Sequence, residues 1–250
     1  MVKKKILCTG MVLSMLILSK LYSTPHEDPI RDPYKKRLIE FAEQKTEEKR
    51  NSKASEYAGD HLITFAEENL PLENQRVKRR LEKYLSKLSF KRHQSYSLHK
   101  QAEKYLPQIA EILKSHGIPE DFKYIPLVES GLDPRITSHR GAGGYWQFMP
   151  ATARLYGLKV NASMDERKNL IKSTHAAARY LKDLYSKFGD WTLVAAAYNV
   201  GEGSLQSSIR RQNEDNYYKL LLNSETSTYV YKLVSMKEVI ENPEKYGYNI

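Results

Sequence analysis

The sequence predicts a mostly α-helical protein. Three observations predict it. Apolar residues recur at three- and four-residue steps over long stretches, Gly and Pro fall where those stretches stop, and neither strict alternation nor a βαβ rhythm is found. The helical pattern starts near His61. Leu81, Tyr84, Leu85 and Leu88 form one such stripe, and Tyr105, Ile109, Ile112 and Leu113 form another that ends at His116-Gly117. Ile118-Pro119-Glu120-Asp121 opens the next helix with Pro and acids in its first turn, where the helix dipole favours negative charge. Phe122, Ile125, Leu127 and Val128 carry that helix to Glu129, with Pro126 expected to bend it. Ala151–Tyr156 reads as a short helix stopped by Gly157. Asn169–Phe188 reads as a long amphipathic one, with Ile171, Ala178, Leu181, Leu184 and Tyr185 inward. Trp191–Asn199 is Ala-rich and apolar on all sides, as a central core helix would be. Tyr217–Leu222 and Thr228–Ile240 complete the pattern.

At 250 residues, the chain is long enough for one domain with a buried core plus extensions. Lys3-Lys4-Lys5 followed by the mostly apolar stretch Ile6–Leu18 has the form of an export signal, so residues 1–24 are expected to be a signal peptide or an uncleaved N-terminal anchor. The stretch is short for a membrane span and is interrupted by Lys20. Cys8, the single cysteine, opens the apolar stretch instead of following it, which places it within the signal and not at a lipidation site. Without residues 1–24 there is no thiol, hence no disulfide, cysteine nucleophile or cysteine-metal site. Residues 25–67 are polar and are expected to form a linker or helical extension, leaving 68–250 as the folded domain.

The formal net charge is +10, and a chain starting near Pro25 loses four lysines and carries +6. That balance favours polyanionic partners without choosing among nucleic acid, anionic lipid and wall polymers. The export signal, and the lack of a basic helix interleaved with aromatics, argue against nucleic acid. The seven His residues are scattered, with no His-x-x-x-His pair, and Gly141–Gly144 lacks the Lys-Ser/Thr of a phosphate loop, so neither a metal nor another cofactor is expected.

Glu129 is the sharpest candidate for chemistry. It closes an apolar helix just before Ser130-Gly131, where partial burial would hold its carboxyl protonated near neutral pH. A surface Glu at a helix end is the bland alternative, and the helix pattern alone favours it. The surroundings shift the balance. Ser138 and the run Gly141-Ala142-Gly143-Gly144 follow, and glycines let backbone approach a ligand closely. Tyr145, Trp146 and Gln147 then offer stacking surfaces and an amide, the groups that sugars engage. Trp146 reads equally as a core residue, whereas Gln147 would need buried partners.

Val128-Glu129-Ser130-Gly131, Ser138 and Gly141–Pro150 together resemble the core signature of the soluble lytic transglycosylase (SLT) domain. Ala195–Gly203 is similar to that family's second motif, and Glu225-Thr226-x-x-Tyr229-Val230 to its third. Asp165-Glu166-Arg167 and Phe188–Trp191 resemble intervening segments of the membrane-bound lytic transglycosylase D branch. Val200 stands where the family usually has Ala, and Tyr231 where Pro often follows Tyr-Val. The likeness runs from about residue 70 to the end of the sequence.

The resemblance implies a lysozyme-like (goose-type lysozyme/SLT) catalytic domain that cleaves the bond between N-acetylmuramic acid (MurNAc) and N-acetylglucosamine (GlcNAc) in peptidoglycan glycan strands. It implies Glu129 as sole acid and base, yielding a 1,6-anhydro-MurNAc end. Ser138, Gly144, Tyr145, Gln147, Tyr198, Asn199 and Glu225 would bind substrate, with Ser138 hydrogen-bonding near Glu129. Asn199 reads equally as a turn residue, and Glu225 as a helix N-terminal acid. Asp133, before Pro134, reads as a turn residue. The periplasm or cell envelope would be the site of action. Two other classes stay open: a hydrolase of the same fold in which water attacks, and a catalytically silent wall-binding scaffold.

Overall fold

A computed structural model describes residues 63–250; the expected signal or anchor (1–24) and most of the expected linker lie outside the described residues. The described part belongs to one compact unit, Asp60–Ile250. Nine α-helices occur among the described residues: α1 (Gln75–Leu88), α2 (Phe90–His93), α3 (Ser97–Ser115), α4 (Ile125–Ser130), α5 (Pro150–Leu155), α6 (Leu170–Phe188), α7 (Trp191–Val200), α8 (Glu202–Gln212) and α9 (Tyr229–Glu241). None of them is long and apolar enough to cross a membrane. The mostly α reading therefore holds.

The core is built around α7. Thr192 to Ala197 are all buried, and Ala195, Ala196 and Ala197 are fully so. Small side chains let α6, α8 and α9 approach this helix closely. Asp190 caps it, its Oδ1 accepting from the Leu193 N–H at 2.7 Å. α6 faces it with Ala177, Ala178, Leu181 and Leu184. Two residues assigned inward on α6 lie outside: Ile171 is 46% exposed, and Tyr185, 39% exposed, stacks on Trp191 at 4.0 Å. Both flank the buried stripe, which three Ala residues make narrower than the apolar pattern suggests. α1 buries Val77, Leu81 and Leu85 against α9.

The structure departs from the sequence reading elsewhere. Thr64–Phe65 and Glu68–Asn69 form a two-stranded hairpin, turned through Ala66 and Glu67 with φ of 51° and 69°. Paired positive φ values match the right-handed strand twist in two-residue hairpins. The hairpin is fastened to the core: Phe65 is fully buried against Phe122, and the Ala66 N–H donates to Asp121 Oδ2 at 2.7 Å. Asp121 also pairs with Lys237 at 2.8 Å. The linker expected to end at residue 67 thus overran the domain, because a strand this short carries no readable alternation. The helix expected from Ile118 to Glu129 is instead a 3-10 segment, Glu120–Tyr124, followed by α4. Pro126 sits in the first turn of α4, where its missing N–H costs nothing. Tyr217–Leu222 is a turn, whereas α8, whose apolar content is low, went unread.

At the end of α3, His116 Nε2 meets His175 Nδ1 of α6 at 2.9 Å. One of these nitrogens must be unprotonated. Burial first, then the charges of His175, Arg179 and Lys182, push the His116 pKa down. The unfolded chain therefore takes up protons before the folded one does, from about pH 6.5 downward. The Tm is expected to fall as pH drops through that range, and His116→Asn to flatten the slope; unchanged slopes in a thermal scan series would sink this account.

Candidate active site

Glu129 lies in the last turn of α4. Gly131 (φ 60°) and Leu132 (φ 61°) reverse the chain at once, which keeps the helix from continuing past the carboxylate. The buried Ser130 hydroxyl lies 3.0 Å from Pro126 O and 2.8 Å from Tyr145 O, so it pins the glycine loop to α4.

That loop is short, irregular and fully tied. Thr137 bridges to Gly143, and Gly143 to Phe148. Ala142 N–H donates to Ser138 Oγ at 3.1 Å. Gln147, at φ 49°, donates its amide to Ile136 O (3.0 Å) and Gly144 O (2.9 Å). Beneath the loop lies Arg167, 7% exposed, with Nη1 donating to Gly141 O and Phe148 O at 2.8 Å each. Its other edge holds Asp165 through two bonds of 2.8 Å. This arrangement gives the Asp165-Glu166-Arg167 segment a physical role: planar bidentate recognition fixes the guanidinium, and the guanidinium fixes the loop carbonyls. Trp146 is a core residue, fully buried with Nε1 on Thr174 Oγ1.

Glu129 Oε1 accepts from the Tyr229 hydroxyl at 2.5 Å. Burial pushes the Glu129 pKa up, the Tyr229 donor opposes that, the nearby Glu225 charge adds to it and Lys232 opposes it. Tyr229 and Tyr198 are both raised well above the ordinary phenol range, by burial first and then by the Glu129 charge, so both stay protonated donors. Tyr198 donates to Trp146 O at 2.7 Å, which joins α7 to the glycine loop. Asn199 donates to Glu225 at 3.3 Å and accepts from Thr226 Oγ1 at 2.8 Å. Tyr217 in turn donates to Thr226 O at 2.7 Å.

Of the residues expected to act together, Glu129, Tyr198, Asn199 and Glu225 therefore converge. Ser138 makes no hydrogen bond to Glu129; its Oγ accepts from the loop backbone at Ala142. Gln147 and Gly144 likewise shape the loop. Tyr145 is 7% exposed, with its ring against Tyr105 at 5.8 Å. Asp133 is held by Arg135, which drops its pKa to about 2 and fits the turn reading. No group of three or more His, Cys, Asp or Glu able to hold a metal occurs among the described residues.

Tyr229, named in the sequence only as part of the third motif, is the partner of Glu129 that no site role was assigned to. Its signal was the spacing from Glu225, four residues back on one helix-like face. Tyr229→Phe removes a donor that favours the charged carboxylate, so the Glu129 pKa rises further. Turnover is expected to fall by roughly tenfold, and the alkaline limb of the pH–rate profile to move to higher pH. An unmoved limb would show that the hydroxyl does not tune Glu129.

Residues 108–221 match the Transglycosylase SLT domain family. The membrane-bound lytic murein transglycosylase D of Escherichia coli K12 is 37% identical over 180 residues, which span 70% of this chain and 39% of that protein. The peptidoglycan transglycosylase gp16 of Escherichia phage T7 is 38% identical over 94 residues, 36% of this chain and 7% of that protein. Among solved structures, the 70-kDa soluble lytic transglycosylase of Escherichia coli overlays with a TM-score of 0.48 at 18% identity, covering 89% of this chain and 37% of that one. This chain thus spans about two fifths of the length of its curated relative. The segment holding Glu129, the glycine loop and Tyr198 belongs to the transglycosylase SLT domain family.

Proposed function

We propose that this protein is a peptidoglycan lytic transglycosylase that cleaves the MurNAc–GlcNAc β-1,4 bond without water. The observation that carries the reading is the half-buried Glu129 carboxyl, raised in pKa and gripped by Tyr229, within a segment of the SLT family. The protonated Glu129 donates to the glycosidic oxygen as the bond from that oxygen to C1 of MurNAc breaks. The C6 hydroxyl of the same sugar attacks C1 and closes the 1,6-anhydro ring. Its proton passes to the Glu129 carboxylate, which restores the acid for the next turnover. Most glycosidases need two carboxyl groups. One suffices here because the nucleophile is part of the substrate and its effective concentration is high.

In this reading Tyr198, Asn199 and Glu225 line the cleavage subsites directly. Gly144, Tyr145 and Gln147 act by holding the loop to shape, and Ser138 offers its hydroxyl proton to the N-acetyl group. Residues 1–24 would export the chain to the envelope, as signal or anchor, with 25–62 as tether.

The proximity of Glu225 to Glu129 favours one second reading: Glu225 as base for a water, giving a hydrolase. Mass spectrometry of fragments released from purified peptidoglycan separates the two. Anhydro-muropeptides support the lytic reading, reducing ends support the hydrolase, and no release by folded protein overturns both in favour of a binding scaffold.

A further inference from the structure

Residues 63–250 hold 28 Lys and Arg against 21 Asp and Glu, a net of +7. Residues 75–93, which comprise α1 and α2, hold eight basic residues against Glu82 alone, also +7. The rest of the described part is neutral. The whole excess charge therefore sits on one-tenth of the domain.

Its placement is ordered. Arg76, Arg79, Lys83 and Lys87 are exposed on α1 at steps of three or four residues, and Lys91 and Arg92 are exposed on α2, beyond the extended Ser89. The opposite face of α1 carries the buried Val77, Leu81 and Leu85. None of the six exposed cations forms a salt bridge among the described residues; Lys87 covers the Tyr84 ring at 5.0 Å. A row of like charges repels itself and costs stability, so its concentration on one face points to an anionic partner.

We propose that this stripe is a docking surface for an anionic lipid bilayer. α1 is about 21 Å long and exposes one face along its length, so it presents a ridge suited to a plane. Single-stranded polymers are held by grooves lined with stacking aromatics, whereas of the two aromatics in residues 75–93 Phe90 packs on Tyr96 and Tyr248, which leaves Tyr84 alone beside the cations. Half-exposed Tyr84 borders the cations at the edge of the apolar stripe, as interfacial residues do beside a membrane-bound helix. The apolar stretch Ile6–Leu18 lies in the same chain, and stable membrane attachment takes two signals, one apolar and one polybasic. Arg80, on the inner edge of the stripe, donates to Ser227 O at 3.0 Å, so the docked helix is continuous with the segment that holds Glu225 and Tyr229.

The test uses the full chain and sedimentation with two kinds of vesicle, phosphatidylcholine alone and phosphatidylcholine with phosphatidylglycerol. Wild type is expected to prefer the anionic vesicles and to lose the preference in about 0.5 M salt. Arg76→Gln/Arg79→Gln/Lys83→Gln/Lys87→Gln is expected to bind the anionic vesicles about a hundredfold more weakly and the neutral ones equally. The charge-keeping variant Arg76→Lys/Arg79→Lys should retain binding, and circular dichroism confirms that each variant is folded. An equal preference in wild type and the Gln variant overturns the proposal. So does a Gln variant that keeps its vesicle binding but no longer sediments with purified peptidoglycan, which would assign the stripe to the wall.

Discussion

Glu129→Gln is expected to lower fragment release from peptidoglycan by about 10³-fold or more, since general acid and base steps each contribute roughly 10²–10⁴-fold. The amide keeps the shape of the side chain, and its oxygen can still accept from Tyr229, so geometry survives while the transferable proton is lost. Stability is expected to move the other way. A carboxyl whose folded pKa lies above its unfolded value binds its proton more tightly in the folded state. Stability then falls as pH rises from about 4.3 through the folded pKa. At neutral pH the unfolded carboxyl ionises freely while the folded one resists ionisation, so the folded protein bears the cost of that raised pKa, and the Gln variant escapes it. The variant should therefore melt at or above the wild-type temperature at pH 7 and lose that advantage near pH 4. Lysis rates and Tm measured on the same preparations check both halves. A dead but destabilised variant would mean that Glu129 holds the fold instead of running the chemistry.

The same opposition explains how far Glu129 was legible. A Glu closing an apolar helix is ordinary, and helix pattern alone favoured a surface residue. Its surroundings gave it away, because Ser130-Gly131 and the glycine run make sense only where backbone must turn sharply and approach something. The long periodic helices α1, α3 and α6 were readable because burial of one face dictates their spacing, and α7 because it is apolar on every side. The hairpin at Thr64–Asn69 and the 3-10 segment at Glu120–Tyr124 were not, since each is a few residues long and held by distant partners such as Asp121 and Trp191. Tyr229 and Arg167 belong to the same class. Their partners lie 100 residues away for Tyr229–Glu129 and 26 for Arg167–Gly141, and no local pattern announces a hydrogen bond at that range. Ser138 and Gln147 show the converse. Their type and position suggested ligand contact, while the fold uses their polar atoms first to satisfy a loop that has no ladder of its own.

Gly144→Ala is expected to be the most damaging small change in the loop. Gly144 has φ 74°, and a Cβ there would lie 2.1 Å from Arg167 O and 2.4 Å from its carbonyl carbon. Neither side can yield cheaply. The Arg167 guanidinium is bound to Gly141 O, Phe148 O and Asp165, while Gly144 itself donates to Ile136 O and accepts from Gln147. Relief requires pushing the loop off Arg167, which strands a buried cation and several carbonyls. A loss of about 3–4 kcal/mol follows from a clash of that kind, or roughly 10 °C in Tm for a domain of this size. Displacing the loop by an ångström should also cost about a hundredfold in lysis, because Tyr198 reaches Glu129's surroundings through Trp146 O. Gly141→Ala supplies the control. Its φ is 86° and a Cβ there meets nothing within 4 Å, so it bears the left-handed backbone strain alone, about 1–2 kcal/mol. If the two variants melted together, backbone conformation and not the contact with Arg167 would account for the glycine at 144. A gap of several degrees between them would locate the cost at the Arg167 carbonyl.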